Sequence, residues 1–332
     1  MPTKKVNANL IAVVDILNDL KFHDGNSIGE KLGISRNAVF KFIKRLKSYD
    51  VQVEAIKSKG YKLLKPLILL NPEVVLPKLI SPTITVDIVE SVDSTNNYLK
   101  PYFTSLEPRV CIAERQTRGR GRFNRLWHSP FAENLYLSFQ YRFNKELSEL
   151  SGLSLVASLA ALKTVKAFCH PESLGVKWPN DITYRGIKFV GCLVELQAEA
   201  NGTACAIIGV GMNANMQHDK KNTDIGTSWT SIREISGQYV DRNQLAAELI
   251  NNLYSYISKF ETSGLSIFLK EWEAADCLSG KTVTVENQGE ETTGLAQGIN
   301  LQGQLLIKLD NGVVHPFSSG HTSIVKKDKV TP

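Results

Sequence analysis

Five arginines fall within eleven residues, at positions 115, 118, 120, 122 and 125, with Gly119 and Gly121 between them. Guanidinium forks match carboxylate and phosphate oxygens in pairs, and glycine lets backbone approach a ligand closely. The stretch suits the holding of anions. A solvated basic loop, or one gripping nucleic-acid backbone, would have the same composition. A second constellation follows downstream, in Lys177-Trp178-Pro179-Asn180-Asp181 and Lys188. Neither GxGxxG after a strand, GxxxxGK[ST] nor a GxSxG elbow occurs, so the dinucleotide fold, the P-loop and the serine-hydrolase elbow are not indicated. The six histidines are scattered, without metal-ligand spacing.

These residues need a frame. Apolar runs at Cys111–Ala113 and Leu135–Phe139 read as strands entering and leaving the arginine loop. Upstream, ITVDIVESVDSTNNYL reads as strand, turn and helix, with Asp93 or Ser94 as N-cap. Such a helix start presents N–H groups and hydroxyls at Ser94, Thr95 and Asn96, although most caps are purely structural. LSLVASLAALKTVKAF is a long core helix. ITYRGIKFVGCLVEL reads as a hairpin turning at Arg185-Gly186, with Lys188 starting the return strand. CAIIGVGMNAN is an apolar strand carrying Gly209 and Gly211. Hairpin-paired strands with helices between them predict an α+β domain with a mixed sheet.

The chain has 332 residues, enough for two or three domains. No run of eighteen apolar residues suggests a membrane span, and no apolar signal core follows the N-terminus. Five scattered cysteines suit reduced thiols in a cytoplasm. Charge is unevenly placed: residues 1–65 hold 13 Lys or Arg against 6 Asp or Glu, whereas the remainder holds 26 against 27. A basic head on a near-neutral body marks a polyanion-binding end.

That head reads as a winged helix-turn-helix. Leu10, Val13, Val14, Leu17 and Leu20 make an apolar stripe, and Ser27 with Glu30 forms a capping-box pattern opening a second helix. Gly33 supplies the turn, and Ser35 caps a recognition helix from Arg36 to about Tyr49. Arg36 and Asn37 are placed to reach base edges, with Lys41, Lys44 and Arg45 for phosphates. A three-helix packing or dimerisation module has the same pattern. KPLILLNPEVVLPKL makes 66–80 a linker. The domains are then 1–65, 81–275 and 276–332, the last with the alternation and the NQG and DNG turns of a small β-barrel.

In their order and spacing, Asp93-Ser94-Thr95-Asn96, Gln116 with Gly119-Arg120-Gly121-Arg122, Trp127-His128-Ser129-Pro130, Asn134-Leu135-Tyr136, Lys177 to Asp181, Lys188, Gly191 to Glu195 and GVGMNAN resemble the biotin protein ligases. The resemblance is to their bifunctional form, the biotin operon repressors, and covers essentially the whole chain. It implies a class II synthetase-like catalytic domain and a C-terminal SH3-like domain. It also implies a two-step reaction: biotin and MgATP give biotinyl-5′-adenylate and pyrophosphate, then a lysine of a carboxyl-carrier domain takes the biotinyl group. No tightly bound cofactor and no metal held by the protein alone are expected.

By the same resemblance, Ser94, Thr95, Asn96, Gln116, Arg120, Gly121, Arg122 and Lys188 would contact biotin, with Gly209 and Gly211 leaving room for its fused rings. Arg122, Trp127, Asn180, Lys188, Asn213 and Trp229 would face ATP or the adenylate, Trp229 on a covering loop. Lys188, Arg120 and Arg122 would stabilise the reacting anions. Asp181 would help bind magnesium, assist deprotonation of the carrier lysine, or cap the turn after Pro179. Operator DNA, a carrier domain and an adenylate-dependent homodimer are the implied partners. One departure stands out: the family commonly has a glycine between two basic residues where this chain has Phe123-Asn124-Arg125. Asn124 is the residue expected to take a left-handed backbone there, and Phe123 alters a possible dimer contact. A ligand-sensing transcription factor without ligase activity and a lipoate-type ligase are the alternatives.

Overall fold

Asn7 starts the head. Its side-chain oxygen accepts from the amides of Asn9 and Leu10, capping helix α1 (Ala8–Leu17). The structure is a computed structural model and describes residues 4–198, 203–218, 228–287, 289–318 and 321–324. Ahead of α1, β1 (Lys4–Lys5) pairs with the central sheet, so the head does not begin as a separate unit. Leu10, Val13, Val14 and Leu17 are buried on one face of α1, as their spacing predicts. Leu20 falls beyond the helix, at φ 59°, because Asn18 ends it.

Helix α2 (Gly25–Leu32) starts one turn earlier than the Ser27 pattern suggests. Asp24 accepts from the amides of Asn26 and Ser27, and an ionised cap at the positive end of the helix dipole outcompetes a hydroxyl. Gly33 closes α2 in the left-handed conformation, and Ser35 caps α3 (Arg36–Ser48). Strands β2 (Val53–Ile56) and β3 (Gly60–Leu63) form the wing.

Arg36, Asn37, Lys41 and Lys44 are exposed on α3. Arg45 is a correction to the expected DNA-contacting set. Its Nε forms an ion pair with Glu90 of the body, an acid only 1% exposed. Tyr49 donates its hydroxyl to the same carboxylate at 2.7 Å, and its ring stacks on Phe131 at 4.5 Å. A buried carboxylate needs a cation close by, and Arg45 is the one that supplies it.

The linker is packed rather than free. It holds a short helix, α4 (Pro72–Val75), and Leu67, Leu69, Leu70 and Val75 are buried. Arg242, fully buried, donates to the carbonyls of Ile68 and Asn134 and pairs with Glu114 at 2.7 Å. Glu114 in turn accepts from the Leu70 amide. This ion pair therefore ties the linker to the root of the arginine loop.

The body is an eight-stranded mixed sheet. Its strands are β4 (Thr85–Ser91), β5 (Arg109–Ala113), β6 (Leu135–Phe143), β7 (Leu174–Lys177), β8 (Asp181–Tyr184), β9 (Ile187–Ala198) and β10 (Ala204–Met212), with β1 at one edge. The order is β1-β4-β5-β6-β10-β9-β8-β7, with β4 and β5 parallel and the other pairs antiparallel. Helix α5 (Thr95–Leu99), which follows β4, covers one face. On the other face lie α6 (Leu153–Phe168), α7 (Ile232–Ser236) and α8 (Arg242–Ser263), where α6 packs against α8 and the sheet. Leu147–Phe168 is long and apolar enough to cross a membrane, but 67% of its most apolar window is buried in this core.

Helix α9 (Leu269–Ala275) leads to five antiparallel strands, β11 (Thr282–Asn287), β12 (Glu290–Ile299), β13 (Leu305–Lys308), β14 (Val314–Phe317) and β15 (His321–Ile324). Their order is β14-β13-β12-β11-β15. The expected barrel is a sheet here: among the described residues β14 and β15 are its edges and do not pair with each other. Of the NQG turn, Gln288 lies outside the described residues. The Trp178 indole donates to the Gly303 carbonyl at 3.0 Å, docking this sheet on the body.

Candidate functional site

The site forms where strand ends and the arginine loop meet α5. Ser94 precedes α5 and makes no capping bond of its own. The Thr95 amide and hydroxyl both donate to Gln116 Oε1, at 2.9 and 3.2 Å, and Gln116 Nε2 donates to Ser129 at 3.2 Å. The root of the arginine loop is thereby fixed against the helix start. Asn96 is 3% exposed, and its amide is engaged by protein at both ends. Its Oδ1 accepts from Ser138 at 2.6 Å, and its Nδ2 donates to Glu195 at 2.8 Å.

Strand alternation puts Gly209 and Gly211 of β10 on the same face as α5, while Ile208, Val210 and Met212 enter the core. A Cβ on Gly209 would collide with Asn96 Oδ1, and one on Gly211 would lie 2.5 Å from the Trp127 ring. These glycines make room for the two side chains.

Lys188 reaches this face through a bulge. Its register partner is Thr183, while Val190 pairs with Ile182, so β9 carries one extra residue there. Phe189 and Val190 both become core, and Lys188 shares a face with Gly191, where an added Cβ would lie 2.9 Å from Lys188 Nζ. Lys188 Nζ pairs with Asp181 Oδ1 at 2.7 Å and lies 5.4 Å from the centre of the Trp127 ring. Asp181 begins β8, so it holds the lysine instead of capping a turn.

Within the loop, Arg120 donates to Asn97 Oδ1 at 2.7 Å and Arg122 to Asn180 Oδ1 at 3.4 Å. Burial pushes the Arg122 guanidinium below its ordinary pKa, with nearby Asp181 opposing. The left-handed residue is Phe123, at φ 54°, and not Asn124. Phe123 is 65% exposed with its ring under the Arg122 guanidinium, so stacking in the loop offsets an unfavourable backbone.

Most of these groups border one cavity of about 590 Å³, with Asn97, Ser129, Ser138 and Glu195 standing behind its wall. Ser94, Thr95, Asn96, Gln116, Arg120, Gly121, Arg122 and Trp127 line it from the helix start and loop. Asn180, Asp181, Lys188, Gly209, Gly211, Asn213 and Trp229 line it from the sheet and beyond. Trp229 stacks on His218 at 3.9 Å; residues 219–227 of the expected covering loop lie outside the described residues. Sequence reasoning assigned no role to Lys177, Arg125 or His128, which line the cavity, or to Ser138 and Glu195 behind it. Lys177 was visible in its motif, and burial lowers its pKa. Glu195 ends the Gly191 to Glu195 stretch but was given no role, and Ser138 carries no local signal, since only sheet pairing brings it here.

The cavity thus offers cations for anionic reactants, with Asp181 as the carboxylate among its described lining residues. A family model for biotin/lipoate A/B protein ligases matches residues 88–213, one for the biotin protein ligase C-terminal domain matches 278–324, and one for a helix-turn-helix domain matches 9–62. The fold and site therefore define the biotin/lipoate ligase class with a DNA-binding head. The bifunctional ligase/repressor BirA of Escherichia coli K12 is 35% identical over 98% of this chain and 100% of its own length. That of Bacillus spizizenii is 30% identical, over 90% and 93%. A structure of biotin protein ligase from Aquifex aeolicus in complex with biotin and ATP aligns with a TM-score of 0.62 and 26% identity, covering 73% of this chain and 99% of that one. The chain belongs to the biotin protein ligase family, in its bifunctional ligase/repressor form.

Arg122→Gly is expected to slow adenylate synthesis without abolishing it, since Lys188 and Arg120 remain as cations, while loosening the loop through loss of the long hydrogen bond to Asn180 and the stack on Phe123. Adenylate would then escape and label bystander lysines. A variant that labels a carrier domain alone, with bystander proteins untouched, contradicts this role.

Proposed function

We propose that this protein activates biotin with ATP and transfers it to a lysine of a carboxyl-carrier domain, and that its head represses transcription by binding operator DNA. The observation that carries the ligase reading is Lys188, turned by a bulge onto the loop side of the sheet and paired with Asp181. In the first step a biotin carboxylate oxygen attacks the α-phosphorus of ATP. The bond to the β-phosphate breaks, and pyrophosphate leaves with the electron pair. Two anions must approach one another, and fixed cations at Lys188, Arg120 and Arg122 offset their repulsion without reorganising. In the second step the carrier lysine, as free amine, attacks the biotinyl carbonyl and AMP departs.

Magnesium enters with ATP. Asp181 is the protein carboxylate placed to approach a phosphate-bound ion, and its pairing with Lys188 sets where that lysine stands. The Gln116–Thr95 bonds hold the loop root at the biotin end, and the Trp127 indole forms a wall over Gly211.

The test is incubation with ATP, magnesium, biotin and a carrier domain, read as a carrier mass shift by one biotinyl group. Lipoate in place of biotin serves as control. No shift with biotin, or an equal shift with lipoate, overturns the reading.

Repression is argued from the exposed Arg36, Asn37, Lys41 and Lys44 on α3. Helix-turn-helix proteins gain affinity by binding two half-sites as a symmetric dimer. We place the protein in the cytoplasm and infer that adenylate favours its dimer; by linkage, dimerisation must then tighten adenylate binding. Unmodified carrier would compete for the same surface. Phe123, exposed at the tip of the loop, is available to such a contact. Sedimentation with biotin and ATP should show a larger mass than without them, and an unchanged mass contradicts the dimer switch.

A further inference from the structure

Glu195 stands behind the cavity on β9 and makes no contribution to the two-step chemistry described above. Yet it joins two residues that line the cavity, Asn96 and Arg120, to Lys100 behind them. Asn96 Nδ2 donates to its Oε2 at 2.8 Å, Lys100 Nζ lies 3.0 Å from its Oε1, and Arg120 Nη2 lies 3.3 Å from Oε1 and 3.4 Å from Oε2. Its side chain is 25% exposed. Burial works against its ionisation, but Asn96, Lys100 and Arg120 outweigh that and hold its carboxyl below the ordinary value. It is therefore a carboxylate with two cations and one amide around it.

The two partners that matter come from different segments. Asn96 is on α5, and its Oδ1 is held by Ser138 of β6. With its oxygen turned there, the amide points its Nδ2 at Glu195, with the Leu193 carbonyl a longer 3.5 Å away, and the space above Gly209 keeps it there. Arg120 belongs to the arginine loop, whose root is held by the Thr117 and Arg118 amides on the Val92 and Asp93 carbonyls, and whose Arg120 itself also donates to Asn97 and bridges to Leu126. Arg120 Nη2 is taken by Asn97 and Glu195, while its buried Nε has no protein partner. One end of the guanidinium is thus fixed by Asn97 and Glu195, while a buried donor without a protein partner leaves the other end less constrained.

We propose that Glu195 is a positioning residue for biotin binding: it fixes Asn96 and Arg120 relative to each other, and so sets the loop before ligand arrives. The inference rests on the ligase reading. Lys100 supplies the second cation, which leaves the cluster of Lys100, Arg120 and Glu195 with one net positive charge beside an anionic reactant. Neutralising Glu195 would leave Arg120 in place chemically but free to swing, while an accepting oxygen for Asn96 could remain.

The test compares Glu195→Gln, Arg120→Ala and the double variant with the wild type. Glu195→Gln should raise the KM for biotin about tenfold, the scale of one charge-assisted hydrogen bond. It should leave the KM for ATP unchanged and lower kcat by no more than Arg120→Ala does. In the Arg120→Ala background the same substitution should add little, because the group it positions is gone. A second readout needs no activity: hydrogen exchange of the loop in the ligand-free protein should quicken in Glu195→Gln, with exchange in α6 unchanged. Multiplicative effects of the two substitutions, or loop exchange equal to wild type, overturn the proposal. If wild type forms no adenylate, the ligase reading fails, and the exchange measurement still decides whether Glu195 sets the loop.

Discussion

Replacing Lys188 with alanine should slow pyrophosphate release by about 10²–10³-fold, the usual cost of losing one preorganised charge at developing negative charge. The loss has a second source in this site. Lys188 Nζ is 2.7 Å from Asp181, so the variant also leaves a bare carboxylate facing two incoming anions. Converting Asp181 to asparagine in the Lys188→Ala background should then recover part of the rate. The fold should survive, because the lysine side chain is 40% exposed and the hairpin is set by the Arg185-Gly186 turn. Single-turnover pyrophosphate release and far-ultraviolet circular dichroism separate the two effects. Release near the wild-type rate contradicts the assignment of Lys188 to the reacting phosphate.

The largest stability effect is expected at Arg242→Leu. Arg242 and Glu114 are each fully buried, and removing one partner strands the other charge, which costs about 3–5 kcal/mol. Against a total of about 5–15 kcal/mol for a typical domain, that is decisive. The loss has a pH signature. Burial holds the Glu114 carboxyl above its ordinary value of 4.5, and Arg242 is the largest influence pulling it back down. Without Arg242 the folded-state pKa climbs further. An acid raised in the folded state imposes no cost below its unfolded pKa, and an increasing one as pH rises through the folded value. The deficit of the variant relative to wild type should thus grow with rising pH and shrink as pH falls through the raised folded-state values toward 4.5. Denaturant midpoints at several pH values check this, and a deficit that does not depend on pH would mean Glu114 is not the stranded group. The variant should also expose the linker to proteolysis, since Arg242 holds the Ile68 carbonyl.

Much of this was legible in the chain itself. The basic head, the turn at Gly33 and the cap at Ser35 are local properties, decided by backbone preference and short-range hydrogen bonds, and the structure has them where they were expected. The arginine loop between two strands and the hairpin turning at Arg185-Gly186 are equally local. The residues that the resemblance set facing biotin and ATP also line one cavity, although Lys177, Arg125 and His128 beside them were given no role. Where local reasoning erred, a competing local group had been overlooked: Asp24 begins α2 instead of Ser27, and Phe123 takes the left-handed backbone instead of Asn124.

What the sequence by itself determined, then, is the set of elements and the chemistry available to them. Only the tertiary structure decided how that chemistry is aimed. Strict alternation along β9 puts Lys188 on the face of Val190 and Cys192, in the core; one extra residue against β8 turns it to the loop side, and nothing in the residues 187–190 announces a bulge. Arg45 reads as one more cation on the recognition helix, until packing of the head sets it against Glu90, 45 positions away along the chain. Glu195 reads as a strand residue until β9, α5 and the loop converge on it. In each case the deciding partner is distant in sequence. A charge is indifferent to its neighbours along the chain but not to an opposite charge in low dielectric, and only folding chooses which charges meet.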